Sequence, residues 1–509
     1  MKTEHADSSP AFSGSAVSNR GKWMALIAAL LGWMFDGFEI GMFPVAGRPA
    51  LQELLKGEPI DVWFGVIMTV YLIGAASGGV LFGWLGDRIG RVRAMSLSIF
   101  TYAIFTGLCG FATEAWHIGV LRFIASLGMG GEWSLGVALV NELWPQRSRA
   151  FLAGLIGAAA NVGIAMVSVV SISLDKLTRS LRVLMTDVGL PSGMTESLLA
   201  NDAWRLLLIA GALPALLIFF IRLMVPESPK WEEGKRRGAT THFAARDLLG
   251  ALLGMFAACA VIAVWSPLVP ASVLLRVVVT PLGLLAAAWG FLFPIQMFLR
   301  RSVADGSFTA KERRAVIGHL LLGAGLSGVA LMGTWGSLQW AGKWAGDLTE
   351  GTAVRNAVET TQFWGAVGAV FGTILAALTA DLIGRRKTYT LLCLGSMLSL
   401  LAMYQLNDGY GTFFLATVFI AGGWTAAFYG WFPLYLPELF RTSIRATSQG
   451  FAYNFGRVLA AIGALQTAQV IKLFDGDFPK AGSVLCAIYL IGVVLVWFGP
   501  ETKGRPLPD

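Results

Sequence analysis

The feature that most constrains this chain is a recurrence. Runs of about 20 apolar residues, separated by short polar turns, follow one another from Trp23 almost to the C-terminus. A hydrocarbon layer about 30 Å thick is crossed by a helix of that length, and within it a helix satisfies all its own backbone hydrogen bonds. The 509 residues are 55% hydrophobic and 14% charged, whereas soluble domains carry roughly one charged residue in four. The chain therefore reads as an all-α membrane protein, with little sequence left over for a soluble domain.

Six runs fall at about 23–46, 62–85, 94–112, 115–141, 150–174 and 203–225, and six more at about 315–340, 358–380, 386–405, 411–435, 446–472 and 480–499. Between the sets, 248–265 and 271–299 add two, giving about fourteen crossings. With that count about 25 of the 39 Lys and Arg residues fall on one side, the cytosolic one by the positive-inside bias. The formal charge of +8 thus reflects membrane orientation, and no nucleic-acid partner is read from it. The expected layout is a disordered cytosolic tail over 1–20, an N-terminal six-helix bundle over 21–225 and a cytosolic linker over 226–246. Two additional transmembrane helices over 247–299, a linker over 300–314, a C-terminal six-helix bundle over 315–499 and a cytosolic end over 500–509 complete it. The segment from about Leu174 to Asp202 is expected to form a short amphipathic helix and a second one capped at Ser192 or Thr195.

The two sets also repeat. "GWLGDRIGRVR" (83–93) returns as "ALTADLIGRRK" (377–387), and "NELWPQRSRA" (141–150) as "PELFRTSIRA" (437–446), in the same order and at nearly equal offsets. Duplicated bundles of this kind are the build of secondary transporters, which place substrate near the midplane between their halves. "GWLGDRIGRVR" resembles the loop signature of the major facilitator superfamily, and "RFIASLGMGGEW" (122–133) resembles its fourth-helix signature. The resemblance implies a major facilitator fold in which the loops latch the cytosolic side in one access state. It places Gly83, Asp87, Gly90, Arg91, Glu142 and Arg149 in one latch, and Asp381, Gly384, Arg385, Glu438 and Arg445 in a second. The second has Ala377 for Gly and is expected to be weaker.

Ionisable residues inside the apolar runs carry the chemistry. A charge at the centre of a bilayer costs about 2.5 to 3.5 kcal/mol on insertion scales and marks function. Asp36 and Glu39 lie three residues apart on neighbouring positions of one helix face, and that face is expected to look into the bundle. Arg122 and Glu132 lie in the fourth run, and an acid near Arg122 could gain and lose a proton as helices move. "GFEIG" is similar to a first-helix pattern of proton-coupled sugar porters, and "DGFE" to one in sialate and aromatic-acid proton symporters. The resemblance implies proton coupling by the first-helix acid with Arg122. "PESPKW" (226–231) and "PETKG" (500–504) also resemble sugar-porter loops.

Arg457 in "YNFGR" has no acid nearby in sequence. Its planar guanidinium suits a substrate carboxylate, with an ion pair to an acid of another helix as the alternative. Asn454, Asn161, Gln339, Gln362, Trp335 and Tyr429 offer hydrogen bonds and stacking for a polar ring, or packing. The expectation is a proton-coupled secondary transporter that takes up a small organic anion such as sialic acid or another sugar acid. Neutral-sugar or aromatic-acid transport, export, or a transporter-like sensor are the alternatives. No GxxxxGK[ST], HExxH or GxSxG occurs, so neither an ATP-driven pump nor a common membrane hydrolase is read. No cofactor and no metal is expected. The partners expected are substrate, protons and lipid around a monomer in a bacterial inner membrane, with both termini cytosolic.

Overall fold

The computed structural model describes residues 18–55, 60–266 and 269–508, and no strand occurs among them. The expected tail at 1–20 lies almost wholly outside the described residues. The first five helices are α1 (Asn19–Leu54), α2 (Ile60–Ile89), α3 (Arg91–Cys109), α4 (Ala115–Leu143) and α5 (Gln146–Ile172). Then come α6 (Leu174–Asp187), α7 (Ser192–Ala210) and α8 (Ala215–Met224). The short α9 (Pro229–Arg236) precedes the inserted pair α10 (Leu248–Trp265) and α11 (Val273–Ala304). The C-terminal part runs through α12 (Ala310–Gly336), α13 (Ala341–Thr349), α14 (Ala357–Ile383), α15 (Arg385–Gln405) and α16 (Thr412–Ala426). It ends with α17 (Phe428–Tyr435), α18 (Arg445–Leu473), α19 (Phe478–Leu485) and α20 (Ile488–Leu495).

Twelve helical stretches among the described residues are long and apolar enough to cross a membrane, against the fourteen expected. α15, which opens on Arg385, Arg386 and Lys387, and α18 are not among the twelve. The segment at 174–202 also departs from expectation in its detail. α7 begins at Ser192 after Pro191, with no side-chain cap. The amides of Met194 and Thr195 bond instead to the carbonyl of Pro191, whose φ of −56° already suits a helix start. Left-handed φ values at Asn201, Asp202 and Ala203 then re-aim the chain within α7.

Two seams join the N- and C-terminal parts: α2 packs on α18, and α5 packs on α14. Each pairs the second long helix of one part with the fifth of the other, the arrangement a pseudo-two-fold repeat requires. The α2–α18 seam is close enough that a Cβ on Gly450 would lie 1.9 Å from the Gly79 carbonyl oxygen. The inserted pair packs together and lies over this seam, α10 touching α2 and α18 and α11 touching α18 and α12. Phe243 anchors it, edge-on to Trp84 at 6.2 Å and 4.4 Å from Phe298.

Candidate functional site

Asp36 and Glu39 are both buried on α1, but they face different partners. Glu39 accepts a hydrogen bond from the Tyr71 hydroxyl at 2.6 Å and a longer one from Thr106 at 3.4 Å. Its Oε1 lies 3.1 Å from Arg122 Nη1. The Arg122 guanidinium is held over the rings of Phe43 and Tyr71, at 4.3 and 4.7 Å, a cation–π arrangement that strengthens without water. Asp36 adjoins Glu132 of α4, carboxyl beside carboxyl, with the Tyr102 hydroxyl next to Glu132. Gly32, one turn before Asp36, makes the approach possible: a Cβ there would lie 1.6 Å from Glu132 Oε1. The cavity beside Glu132, lined by Trp33, Trp133, Gly136 and Ile156, is about 10 Å³, no more than about one water.

From the C-terminal part, Arg457 of α18 is buried with its guanidinium 5.5 Å from the Tyr453 ring centre. Its Nη1 has no hydrogen-bond partner, and it makes no ion pair within the range of a salt bridge among the described residues. Its charge acts on Asp36, Tyr71, Tyr429 and Tyr453, so it stands where the two parts meet. Tyr453 also stacks on Trp133 of α4, ring centres 3.9 Å apart. The site thus gathers three acids, Asp36, Glu39 and Glu132, and two guanidinium groups, Arg122 and Arg457, all buried.

The remaining residues expected at a substrate site divide. Asn454 donates across the seam to the Gly130 carbonyl at 3.0 Å, and Asn161 donates back to Gly157 of its own helix at 3.0 Å. Tyr429, partly buried, lies near Arg457. The Gln362 amide nitrogen approaches Gly41 of α1, 3.3 Å from where a Cβ would stand. Trp335 is partly buried near the end of α12, and Gln339 is exposed in the turn that follows.

At the end of the bundle where α2 meets α18, Arg91 gathers four acceptors. It donates to Gly86 O and Asp87 Oδ1, both at 2.7 Å, to Thr442 O at 2.8 Å, and to Glu142 Oε1 at 3.1 Å. Asp87 in turn accepts from the Ala446 amide at 3.2 Å, the Thr447 amide at 2.8 Å and the Thr447 hydroxyl at 2.6 Å. These are free first-turn donors of α18, so an acid of one part caps a helix of the other. Glu142 also pairs with Arg445 at 2.9 Å. In the second copy, Arg385 binds Glu438 through two hydrogen bonds of 3.0 and 2.6 Å, while Asp381 is 56% exposed and among the described residues pairs only with Arg385, at 3.7 Å. Arg149 leaves Nε and Nη1 without hydrogen-bond partners among the described residues.

The sequence reading missed a third repeated element. Glu227 accepts from the backbone amides of Arg91 and Val92, capping α3, and Glu501 accepts from those of Arg385 and Arg386, capping α15. Both helices follow a glycine in a positive-φ conformation, Gly90 at 113° and Gly384 at 98°, which admits no ordinary side chain cheaply. The next residue repeats too: Ser228 donates to Glu142, and Thr502 to Glu438 at 2.6 Å. The shared Pro-Glu-Ser/Thr of "PESPKW" and "PETKG" is the signal that would have found it. A second missed cluster lies at the far end of α1, where Glu53 accepts from Asn201, Trp204 and Arg205 at 2.7–2.8 Å.

Comparison with known proteins places this geometry. The family described as "Sugar (and other) transporter" matches residues 24–250 and 344–509. A Haemophilus influenzae protein named for metabolite transport is 26% identical over 95% of this chain and 98% of its own. The cis,cis-muconate transport protein of Acinetobacter baylyi is 25% identical over 95% of each chain. The sialic acid transporter NanX of Escherichia coli is 29% identical over 43% of this chain and 47% of its own. Among solved structures, the proton:xylose symporter XylE bound to 6-bromo-6-deoxy-D-glucose superposes with TM-score 0.62 at 18% identity, over 96% of this chain and 98% of that one. Duplicated bundle, paired seams and family match agree: the chain belongs to the sugar (and other) transporter family of the major facilitator superfamily.

Proposed function

We propose that this transporter moves a small organic carboxylate together with a proton by alternating access. Sialic acid or another sugar acid fits the reading, and muconate falls in the same chemical class. The observation that carries it is the charge count at the seam, three buried acids facing two guanidinium groups. With every group ionised, such a site holds an unbalanced negative charge without water, which is costly. A proton on the Asp36–Glu132 pair balances it. A second proton on the same pair frees the charge of Arg457, with its unpartnered Nη1, for a substrate carboxylate, while Glu39 stays tied to Arg122 and Tyr71. The Asp87–Arg91–Glu142 network supports reading this conformation as closed at the cytosolic end. In the same reading α15 and α18 complete about fourteen crossings, both termini are cytosolic, and a monomer works in a bacterial inner membrane. The boundaries at 225, 247, 299 and 315 separate its two bundles from the inserted pair.

The test is uptake into proteoliposomes of labelled sialic acid, a second sugar acid, cis,cis-muconate and xylose, with and without an inward proton gradient. Accumulation of a carboxylate only with the gradient is expected. Arg457→Lys should weaken carboxylate uptake by about tenfold or more, since a point charge replaces the planar fork. Gradient-driven uptake of xylose alone would overturn the anion assignment and favour a neutral sugar.

A further inference from the structure

The inserted pair carries a groove that the transport reading does not use. α10 and α11 cross closely, Gly290 set against Gly250 and Gly254 so that a Cβ there would come within 2.5 Å of the Gly250 carbonyl oxygen. Beside this crossing the helices leave a cavity of about 670 Å³. Its walls include Leu249, Leu253, Trp289 and Phe293, and its rim carries Arg246 and Arg300. Leu249 is 67% exposed and Trp289 48%, so the apolar wall faces away from the bundle.

The rim arginines differ from their neighbour. Arg301 is clamped by Asp247 through hydrogen bonds of 2.7 and 2.6 Å. Arg246 and Arg300 are exposed and make no hydrogen bond or ion pair among the described residues. Two uncompensated guanidinium groups therefore stand over an apolar trough, at the end of the bundle that holds the Asp87–Arg91 network, to which Phe243 and Trp84 tie the inserted pair. Sugar and free phosphate fit only the rim, and an uncharged lipid fits only the trough. A molecule with an anionic phosphate head and acyl chains fits both.

We propose that this groove binds an anionic phospholipid, its phosphate between Arg246 and Arg300 and its acyl chains against Leu249, Leu253, Trp289 and Phe293. The inserted pair lies over the α2–α18 seam, so the lipid would sit on the element that spans the two parts.

The test is native mass spectrometry of the delipidated full-length protein titrated with phosphatidylglycerol, phosphatidylcholine or glycerol 3-phosphate. Two arginines beside a head of net charge −1, at about 1 kcal/mol each, predict a preference for phosphatidylglycerol over phosphatidylcholine, whose choline cancels its phosphate charge, of about thirtyfold. The paired substitution Arg246→Gln with Arg300→Gln should remove most of that preference. The control Arg88→Gln, which removes a basic residue of α2 at the same end, should leave it unchanged. Folding of each variant is checked by its thermal unfolding. Equal retention of the two lipids by the wild type, an unchanged preference in the paired variant, or glycerol 3-phosphate binding as tightly as the lipid would each overturn the proposal. So would a dimer in the lipid-free protein that the paired variant dissociates, which would assign the groove to a second copy of the chain.

Discussion

Asp87 and Asp381 stand at matching places in the repeat, with unlike surroundings. Asp87 is sealed in the α2–α18 seam and holds the first turn of α18, whereas Asp381 is 56% exposed and among the described residues pairs only with Arg385. The arginine and glutamate of each copy do not differ in this way, since Arg91–Glu142 and Arg385–Glu438 are both buried pairs. The difference arises in the helix each acid would reach. α18 begins at Arg445, leaving the amides of Ala446 and Thr447 free. α5 begins earlier in the repeat, at Gln146 after Pro145, so the matching amides of Ala150 and Phe151 lie beyond the first turn and are used within the helix. The α2–α18 seam carries a carboxylate cap across the two parts, and Asp381 supplies none at the α5–α14 seam among the described residues.

The largest effect is expected from breaking the latched side. Asp87→Asn removes the charge that binds Arg91 and caps α18, and loss of one partner from a buried pair costs about 3 to 5 kcal/mol. Transport should fall about tenfold or more, with spin labels at the Asp87 end of α2 and the Arg445 end of α18 moving apart. Asp381→Asn should change transport less than about twofold. Equal losses from the two would show that the copies act alike.

Next in size is the buried pair the copies share. Arg385→Ala should cost stability on the scale of about 3 to 5 kcal/mol, read as a lower unfolding temperature in detergent, yet leave the α2–α18 distance unchanged. Arg91→Ala should lower stability comparably and also open that seam. If Arg385→Ala opened it too, the second copy would be a latch after all.

The smallest effect separates the capping acids by pH. Burial holds the Glu227 carboxyl above its ordinary range. At Glu501 burial pushes the same way, but amides of Arg385, Lys503 and Arg386 outweigh it and hold the group below that range. A raised acid binds its proton more readily folded than unfolded, so its contribution improves as pH falls through the folded value. A lowered acid contributes above its unfolded value and loses that contribution as pH falls. Between about pH 7 and pH 5, thermal unfolding of Glu227→Gln should lose a rise seen in the wild type, and below about pH 5 Glu501→Gln should lose a fall. Shifts of the same sign in both would contradict the assigned environments.

Sequence patterns reveal what repeats locally. The acid spacing in α1 places Asp36 and Glu39 on one buried face, and the two loop copies mark the buried Arg91–Glu142 and Arg385–Glu438 pairs. Contacts between distant residues leave no such pattern. Nothing near Glu39 in sequence points to Tyr71 or Thr106, and nothing near Asp36 points to Glu132 rather than Arg122. In sequence Asn454 looks available to substrate because its acceptor, the Gly130 carbonyl, is a backbone atom that any residue would supply. The exposure of Asp381 is foreshadowed by Ala377, but its cause, the earlier start of α5, depends on where a helix begins, which sequence locates only to within a few residues.

The most direct test of the transport account compares exchange with accumulation in proteoliposomes containing Asp36→Asn, Glu39→Gln or the wild type, after the substrate panel has identified a cargo. The wild type should concentrate the cargo when an inward proton gradient is imposed. At least one variant should still exchange labelled for unlabelled cargo across the membrane while failing to concentrate it. Gradient-driven accumulation at the wild-type level in both variants would contradict proton coupling through these acids.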